Sequence, residues 1–240
     1  MTRRGAGGLV AVAIGPLGWC LVLGGLLGGD PMLAVELGGG ALATLWSLLL
    51  VRDLVGSHRL GRALSVDAHE ISLFGVRCSI TPALGTDAVV VGPVRPRIYV
   101  GAPLVAALSD DELQAVVYHE DHHRRTRAPV RAAALGAWLR ILGRSATVRD
   151  VVLDRLTDLE SLADADAIRR GSSPRSLARA LLKGNPSIRP ASFSYATDRR
   201  VERLVDGAAG LPIDVAGRLP YEWLPVVLLT VATLGCHVGL

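Results

Sequence analysis

The sequence predicts an α+β membrane protein: a mainly helical domain with a small β-sheet, joined to three transmembrane helices. Three observations carry that prediction. Half of the 240 residues are hydrophobic and only 20% are charged, below the usual quarter or so, and the mean hydropathy is +0.38. The apolar residues gather in three long runs, at 9–27, 31–51 and 224–240. Between the second and third runs, a short β-rich stretch gives way to helical periodicity. Such a composition excludes a disordered chain, and 3 Cys in 240 residues exclude a disulfide scaffold.

A spanning helix needs about 20 mostly apolar residues. The run 9–27 carries no charge, 31–51 carries only Glu36, and 224–240 is uncharged and shorter. Arg3 and Arg4 precede the first run as they would in a signal peptide. However, this run exceeds the roughly 7–15 residues of a signal h-region, and a second run follows directly after Gly28-Gly29-Asp30. The expectation is a retained helical hairpin over 1–55, with spans about 9–29 and 32–51. Gly24, Gly25, Gly28, Gly29 and the glycines at 38–40 permit close helix approach. Residues 221–240 form the third expected span, with Tyr221 and Trp223 at its interface. The sequence stops within that run, so no extracellular sensor domain is expected.

Charge sets the topology. Arg3 and Arg4 flank the first run, Arg52, Arg59 and Arg62 follow the second, and the turn between the runs has no basic residue. The positive-inside rule then puts the N-terminus and the segment after Arg52 in the cytoplasm. The net charge is +4, and Lys183 is the sole lysine among 26 basic residues. The arginine excess reads as a topology signal beside anionic lipid. No helix-turn-helix, zinc-finger or RNP signature accompanies it, so no direct nucleic-acid partner is expected. The expected location is the cell membrane, multi-pass, with the lipid bilayer as one partner. Cys20, Cys78 and Cys236 lack C-x-x-C spacing and receive no redox or metal role.

The soluble domain is expected at 56–220, on the cytoplasmic side. Segments 71–74 and 76–80 flank Gly75 and read as strands. Segments 88–91 and 97–100 read as a hairpin across Gly92-Pro93-Val94-Arg95-Pro96. From Ala102 the pattern turns helical. Ser109 followed by Glu112 forms a capping box, opening a helix through Leu113, Val116 and Val117 that Pro129 should stop. Segment 128–142 is apolar but carries Arg131 and Arg140. It is too short and too charged to span, and is expected as a helix packed on the site or lying on the membrane surface. A further helix is expected from about 148 to 170.

The first of these helices carries His119-Glu120-Asp121-His122-His123, an H-E-x-x-H pattern. Residues four apart share a helix face, so His119 and His123 can offer two imidazoles to one zinc, with Glu120 beside them as a general base. His122, at i+3, is an alternative ligand. Catalytic zinc usually takes a third protein ligand and keeps one open position. Glu160 and Asp164, again four apart, supply a third ligand and a carboxylate to orient a ligand imidazole; Asp158 and Asp166 are rival carboxylates.

Arg97-Ile98-Tyr99-Val100-Gly101, then Leu104, then Ser109 through His123, followed by Glu160-Ser161-Leu162-Ala163-Asp164 and Arg200-Val201-Glu202-Arg203-Leu204, resembles integral-membrane zinc metallopeptidases. These are the BlaR/MecR antirepressor type, with the related HtpX-like and CAAX-prenyl-protease families. The resemblance covers roughly 90–205 and implies a zincin-like metallopeptidase domain with one Zn2+ per chain. It implies His119, His123 and Glu160 as metal ligands, Glu120 as catalytic base and Asp164 as orienter. Arg200 matches a family arginine near the site. Ser194-Tyr195 stands where HtpX-like members carry His-Pro, which leaves Tyr195 and Arg200 as the candidate oxyanion stabilisers.

The expected function is a membrane-anchored zinc endopeptidase cleaving cytoplasmic or membrane-proximal proteins. Regulatory cleavage of a transcriptional repressor and membrane-protein quality control are two versions of that reading. A non-enzymatic scaffold with a degenerate site is the alternative class. The segment Arg97, Ile98, Tyr99 and Val100 is expected to be an edge strand that pairs with an extended substrate.

Overall fold

The computed structural model describes residues 31–184 and Leu204. The expected first span at 9–29 and the third at 221–240 lie outside the described residues, as do Tyr195 and Arg200. The described chain is mostly helical, with one small four-stranded mixed sheet.

Helix α1 runs over Pro31–Leu64 without interruption. At 1.5 Å per residue its 34 residues reach about 51 Å, well beyond the roughly 30 Å of a hydrocarbon core. Its stretch Gly38–Leu64 is long and apolar enough to cross a membrane. Leu45, Leu48, Val51 and Val55 are exposed along it. The apolar run ends near Val51, but the helix carries on past Arg52 to Leu64. Leu60 and Leu64, four apart, reach an apolar cluster with Leu84, Val91 and Tyr99, and no proline breaks the ladder.

Strands β1 (His69–Leu73) and β2 (Val76–Thr81) form an antiparallel hairpin. Phe74 and Gly75 make its two-residue turn, both with positive φ, at 51° and 79°; that backbone suits a type I′ hairpin turn. Strands β3 (Ala88–Val91) and β4 (Arg97–Gly101) form the second hairpin. The strand order is β1-β2-β4-β3, with β2 and β4 parallel. Side chains alternate across the sheet as strand geometry requires. Cys78, Val90, Ile98 and Val100 enter one cluster, and Val91 and Tyr99 the other.

Among the described residues up to 184, five further helices follow: α2 (Ala102–Ala107), α3 (Asp110–Thr126), α4 (Ala128–Leu142), α5 (Ala146–Arg169) and α6 (Pro174–Lys183). The capping box opens α3 as expected: Ser109 N donates to Glu112 Oε2 at 3.0 Å, and Glu112 N to Ser109 Oγ at 3.4 Å. Helix α3 ends at Thr126, where Arg127 takes left-handed backbone at φ 52°. Pro129 then falls in the first turn of α4, where a proline costs no intrahelical hydrogen bond. Helix α3 lies against the sheet through Leu113 and Val117. Through Ala115 it meets Ala167 of α5, Leu177 and Ala178 of α6, and Leu204.

The chain divides into two compact units. Among the described residues, one holds 31–52 and Ala134–Val152. There the rings of Trp46 and Trp138 lie 5.8 Å apart, and Trp46 Nε1 donates to Ala134 O at 3.2 Å. The other holds Asp53–Ala133, 153–184 and Leu204, and contains the sheet, α3 and the candidate site residues.

Candidate metal centre

Helix α3 is amphipathic in an unusual sense, because its polar C-terminal half is also buried. His119, Glu120, Asp121 and His123 are all 8% exposed or less. Buried polar and charged groups need partners, and α5 supplies them with Glu160, Asp164 and Asp166, also buried. The facing residues Ala115 and Ala167 are fully buried; methyl-sized side chains let the two helices approach.

His119, His123 and Glu160 bring one ligand atom each to a common point and can hold a metal ion. His119 Nε2 and His123 Nε2 are 2.9 Å apart. Glu160 Oε2 is 3.4 Å from the first and Glu160 Oε1 3.3 Å from the second. Asp164 Oδ1 lies 2.8 Å from His119 Nδ1. With Nδ1–H donated to that carboxylate, neutral His119 presents its Nε2 lone pair toward Glu160 and His123. His123 Nδ1 is buried with no hydrogen-bond partner among the described residues.

The rival ligands face elsewhere. His122 Nδ1 lies 3.5 Å from Asp166 Oδ2, outside the converging group. Burial lowers the His122 pKa against the opposing pull of Asp166, aided by neighbouring His123 and His119. Asp166 accepts from Arg125 and Arg169. Asp158 lies 3.4 Å from Arg155. Glu120 is 3% exposed, one residue from His119.

The expected substrate edge is overturned. Strand β4 sits inside the sheet, with Cys78–Thr81 of β2 along one side and β3 along the other, so the backbone of Arg97, Ile98, Tyr99 and Val100 is already paired. Ile98, Tyr99 and Val100 are buried. A β3–β4 hairpin alone would leave β4 at an edge. The parallel pairing to β2 fills it, and nothing in the local pattern of 97–100 encodes that long-range contact.

The sequence pattern assigns no partner to the arginines that follow His123. Arg124 and Arg125, with Arg170 from beyond α5, surround the buried Asp121 carboxylate. Asp121 accepts from Arg124 Nη2 at 2.7 Å, Arg125 Nε at 3.1 Å and Arg170 Nη1 at 2.8 Å. Burial raises its pKa, but the guanidiniums of Arg124, Arg170 and Arg125 outweigh that and hold the carboxyl below its ordinary value. Asp166 is likewise pushed up by burial and held below its ordinary value overall by Arg169, Arg125 and His122. The available signal was the i+3 and i+4 spacing of Arg124 and Arg125 from Asp121. Cys78, beneath α3, has its thiol pushed up to about 11, chiefly by burial and then by the Asp121 charge.

Comparison with protein-family models, with curated proteins and with solved structures finds no match to this chain.

Proposed function

We propose that this chain is a membrane-anchored zinc endopeptidase whose site faces the cytoplasm. The observation that carries the reading is the convergence of His119, His123 and Glu160, with Asp164 fixing the His119 tautomer. Two histidines and one glutamate, with a fourth position open, form a donor set of catalytic zinc. Ligands about 2.0–2.1 Å from one tetrahedral zinc lie about 3.4 Å apart. The two Nε2-to-carboxylate separations, 3.4 and 3.3 Å, match that edge, and the imidazole pair at 2.9 Å is slightly inside it.

Bound zinc supplies Lewis-acid chemistry toward a carbonyl and acidifies water. Glu120 accepts the proton of the attacking water and returns it to the leaving amine. His119 and His123 would hold the metal from one helix face and Glu160 from the second helix, while Asp164 restrains rotation of the His119 ring. Burial of all five side chains keeps competing water out.

The exposed apolar side chains of α1 support a bilayer anchor, and Arg52, Arg59 and Arg62 after them support a cytoplasmic domain by the positive-inside rule. Within this reading the substrate is a cytoplasmic or membrane-proximal protein, with a transcriptional repressor as the regulatory version.

The test is Glu120→Gln in the full chain. The variant is expected to retain stoichiometric zinc and to lose cleavage, so that intact substrates accumulate in the proteome of cells carrying it compared with wild type. Unchanged cleavage by Glu120→Gln would overturn the mechanism. A wild-type protein free of stoichiometric zinc would favour a scaffold.

A further inference from the structure

Beside the metal ligands, two buried carboxylates and four guanidiniums tie the same two helices together. Asp121 lies between His119 and His123 on α3, and Asp166 lies two residues beyond Asp164 on α5. Arg125 of α3 reaches both: its Nε donates to Asp121 Oδ2 at 3.1 Å and its Nη2 to Asp166 Oδ2. Arg170, just past the end of α5, returns the connection, donating Nη1 to Asp121 Oδ2 at 2.8 Å. Its guanidinium also lies 3.8 Å from the ring centre of Tyr118 on α3. Arg124 and Arg169 complete the shell from the carboxylates' own helices, at 2.7 Å from Asp121 Oδ1 and 2.6 Å from Asp166 Oδ1.

An ion pair of this kind contributes little net stability compared with an apolar contact, but a stranded buried carboxylate is costly. Sliding α3 along α5 by one residue would break the two cross-helix links, Arg125 to Asp166 and Arg170 to Asp121, and leave each buried carboxylate with the arginines of its own helix alone. The penalty therefore acts on register, and the register of these helices also sets His119 and His123 opposite Glu160 and Asp164. A planar fork presents separate nitrogens in fixed directions to carboxylates on two elements, whereas an ammonium offers all its donors from one nitrogen.

We propose that Asp121, Arg125, Asp166 and Arg170 form a register clamp, a set of positioning residues that holds α3 and α5 in the metal-receiving arrangement before metal binds. The inference rests on the metal-centre reading above. The clamp lowers the reorganisation needed on binding, so its loss weakens metal affinity beyond any effect on folding.

The test uses the full chain in detergent, with Arg125→Lys and the Arg125→Lys/Arg170→Lys double variant, which keep charge and remove the fork. Zinc affinity is read by competition with a chromophoric chelator, cobalt substitution reports tetrahedral geometry by visible absorption, and denaturant titration of the metal-free protein reports folding. Wild type is expected to bind one zinc. The double variant is expected to bind it about tenfold more weakly or worse, the range seen when support around metal ligands is removed, with a diminished tetrahedral cobalt band. Arg125→Lys alone is expected to show the same change to a smaller degree and carries the test if the double variant does not fold. Folded variants with wild-type zinc affinity and cobalt spectrum overturn the clamp, including where only metal-free stability falls. A wild-type chain that binds no zinc removes the metal centre itself, an outcome distinct from an intact centre indifferent to the fork.

Discussion

His119 Nδ1 and Asp164 Oδ1 are 2.8 Å apart although 45 positions separate them in the chain. One sits on the helix that carries two candidate ligands, the other one turn beyond the third. The contact therefore fixes the ring that faces the candidate metal position and joins the two helices that carry the candidate ligands. Asp164→Asn keeps the size and removes the charge. An amide can accept at its oxygen but no longer favours a ring polarised toward a cation. Zinc affinity is expected to fall about 10- to 100-fold, read by chelator competition, with helix content by circular dichroism unchanged. An Asp164→Asn protein with wild-type zinc affinity would show that the carboxylate serves packing alone.

Gly101 closes β4 and caps α2. A Cβ built there would sit 1.8 Å from Gly85 O and 3.2 Å from Asp87 O, both backbone atoms. Gly101 N also donates to Asp87 O at 2.9 Å, so the segment cannot easily withdraw. Gly101→Ala is expected to leave little folded protein, since separating the two backbones breaks the joint between sheet and α2. Gly75 offers a matched contrast: it is open in space but has φ 79°, so Gly75→Ala carries backbone strain without a clash. Its expected cost is of the order of 1–2 kcal/mol. Expression yield and denaturant midpoints separate the two, and equal midpoints would contradict the steric account.

How much of this was legible in the sequence follows from the range of each interaction. The Ser109–Glu112 capping box, a break between strands at Gly75 and the i, i+4 pair of candidate ligands are local, and their residues announce them; that Phe74 joins Gly75 in the turn was not announced. Glu160 and Asp164 were legible because they repeat the four-residue spacing on a second helix. The interior position of β4 was not, since it depends on a parallel pairing with β2 across the intervening strand β3. The pairing of four arginines with Asp121 and Asp166 was hidden for a related reason. Their sequence is that of a solvated helix end, and only the approach of α5 turns it into a buried network. The extension of α1 past Arg52 was hidden because a charge ends an apolar run without ending a helix.

Lys183 Nζ donates to Glu112 Oε2 at 2.6 Å, joining the last turn of α6 to the cap of α3. The hydrogen bond from Lys183, with that from the Ser109 backbone, holds the Glu112 carboxyl below its ordinary value. A depressed native pKa means that the unfolded state binds the proton more tightly. The pair therefore contributes stability above the ordinary glutamate pKa, about 4.3, and loses it as pH falls through the lower native value. Lys183→Ala is expected to lower the denaturant midpoint at pH 7 by an amount that shrinks toward zero on acidification below that range. A difference that grows on acidification would reverse the sign and remove Glu112 as the cause.

Leu48 is 63% exposed, with Leu45 and Val51 exposed one turn to either side on α1. On a water-facing helix, Leu48→Arg would be nearly neutral, within about 0.5 kcal/mol. On a lipid-facing helix an arginine near the centre costs about 2.5–3.5 kcal/mol on insertion scales. The two environments predict different outcomes for one substitution. If α1 spans a bilayer, Leu48→Arg is expected to shift a measurable fraction of the chain from the alkali-resistant membrane pellet to the supernatant. Ser47→Arg, on a different face of the same turn, gives the comparison. Wild-type retention of Leu48→Arg in the pellet would mean that this face meets something other than lipid.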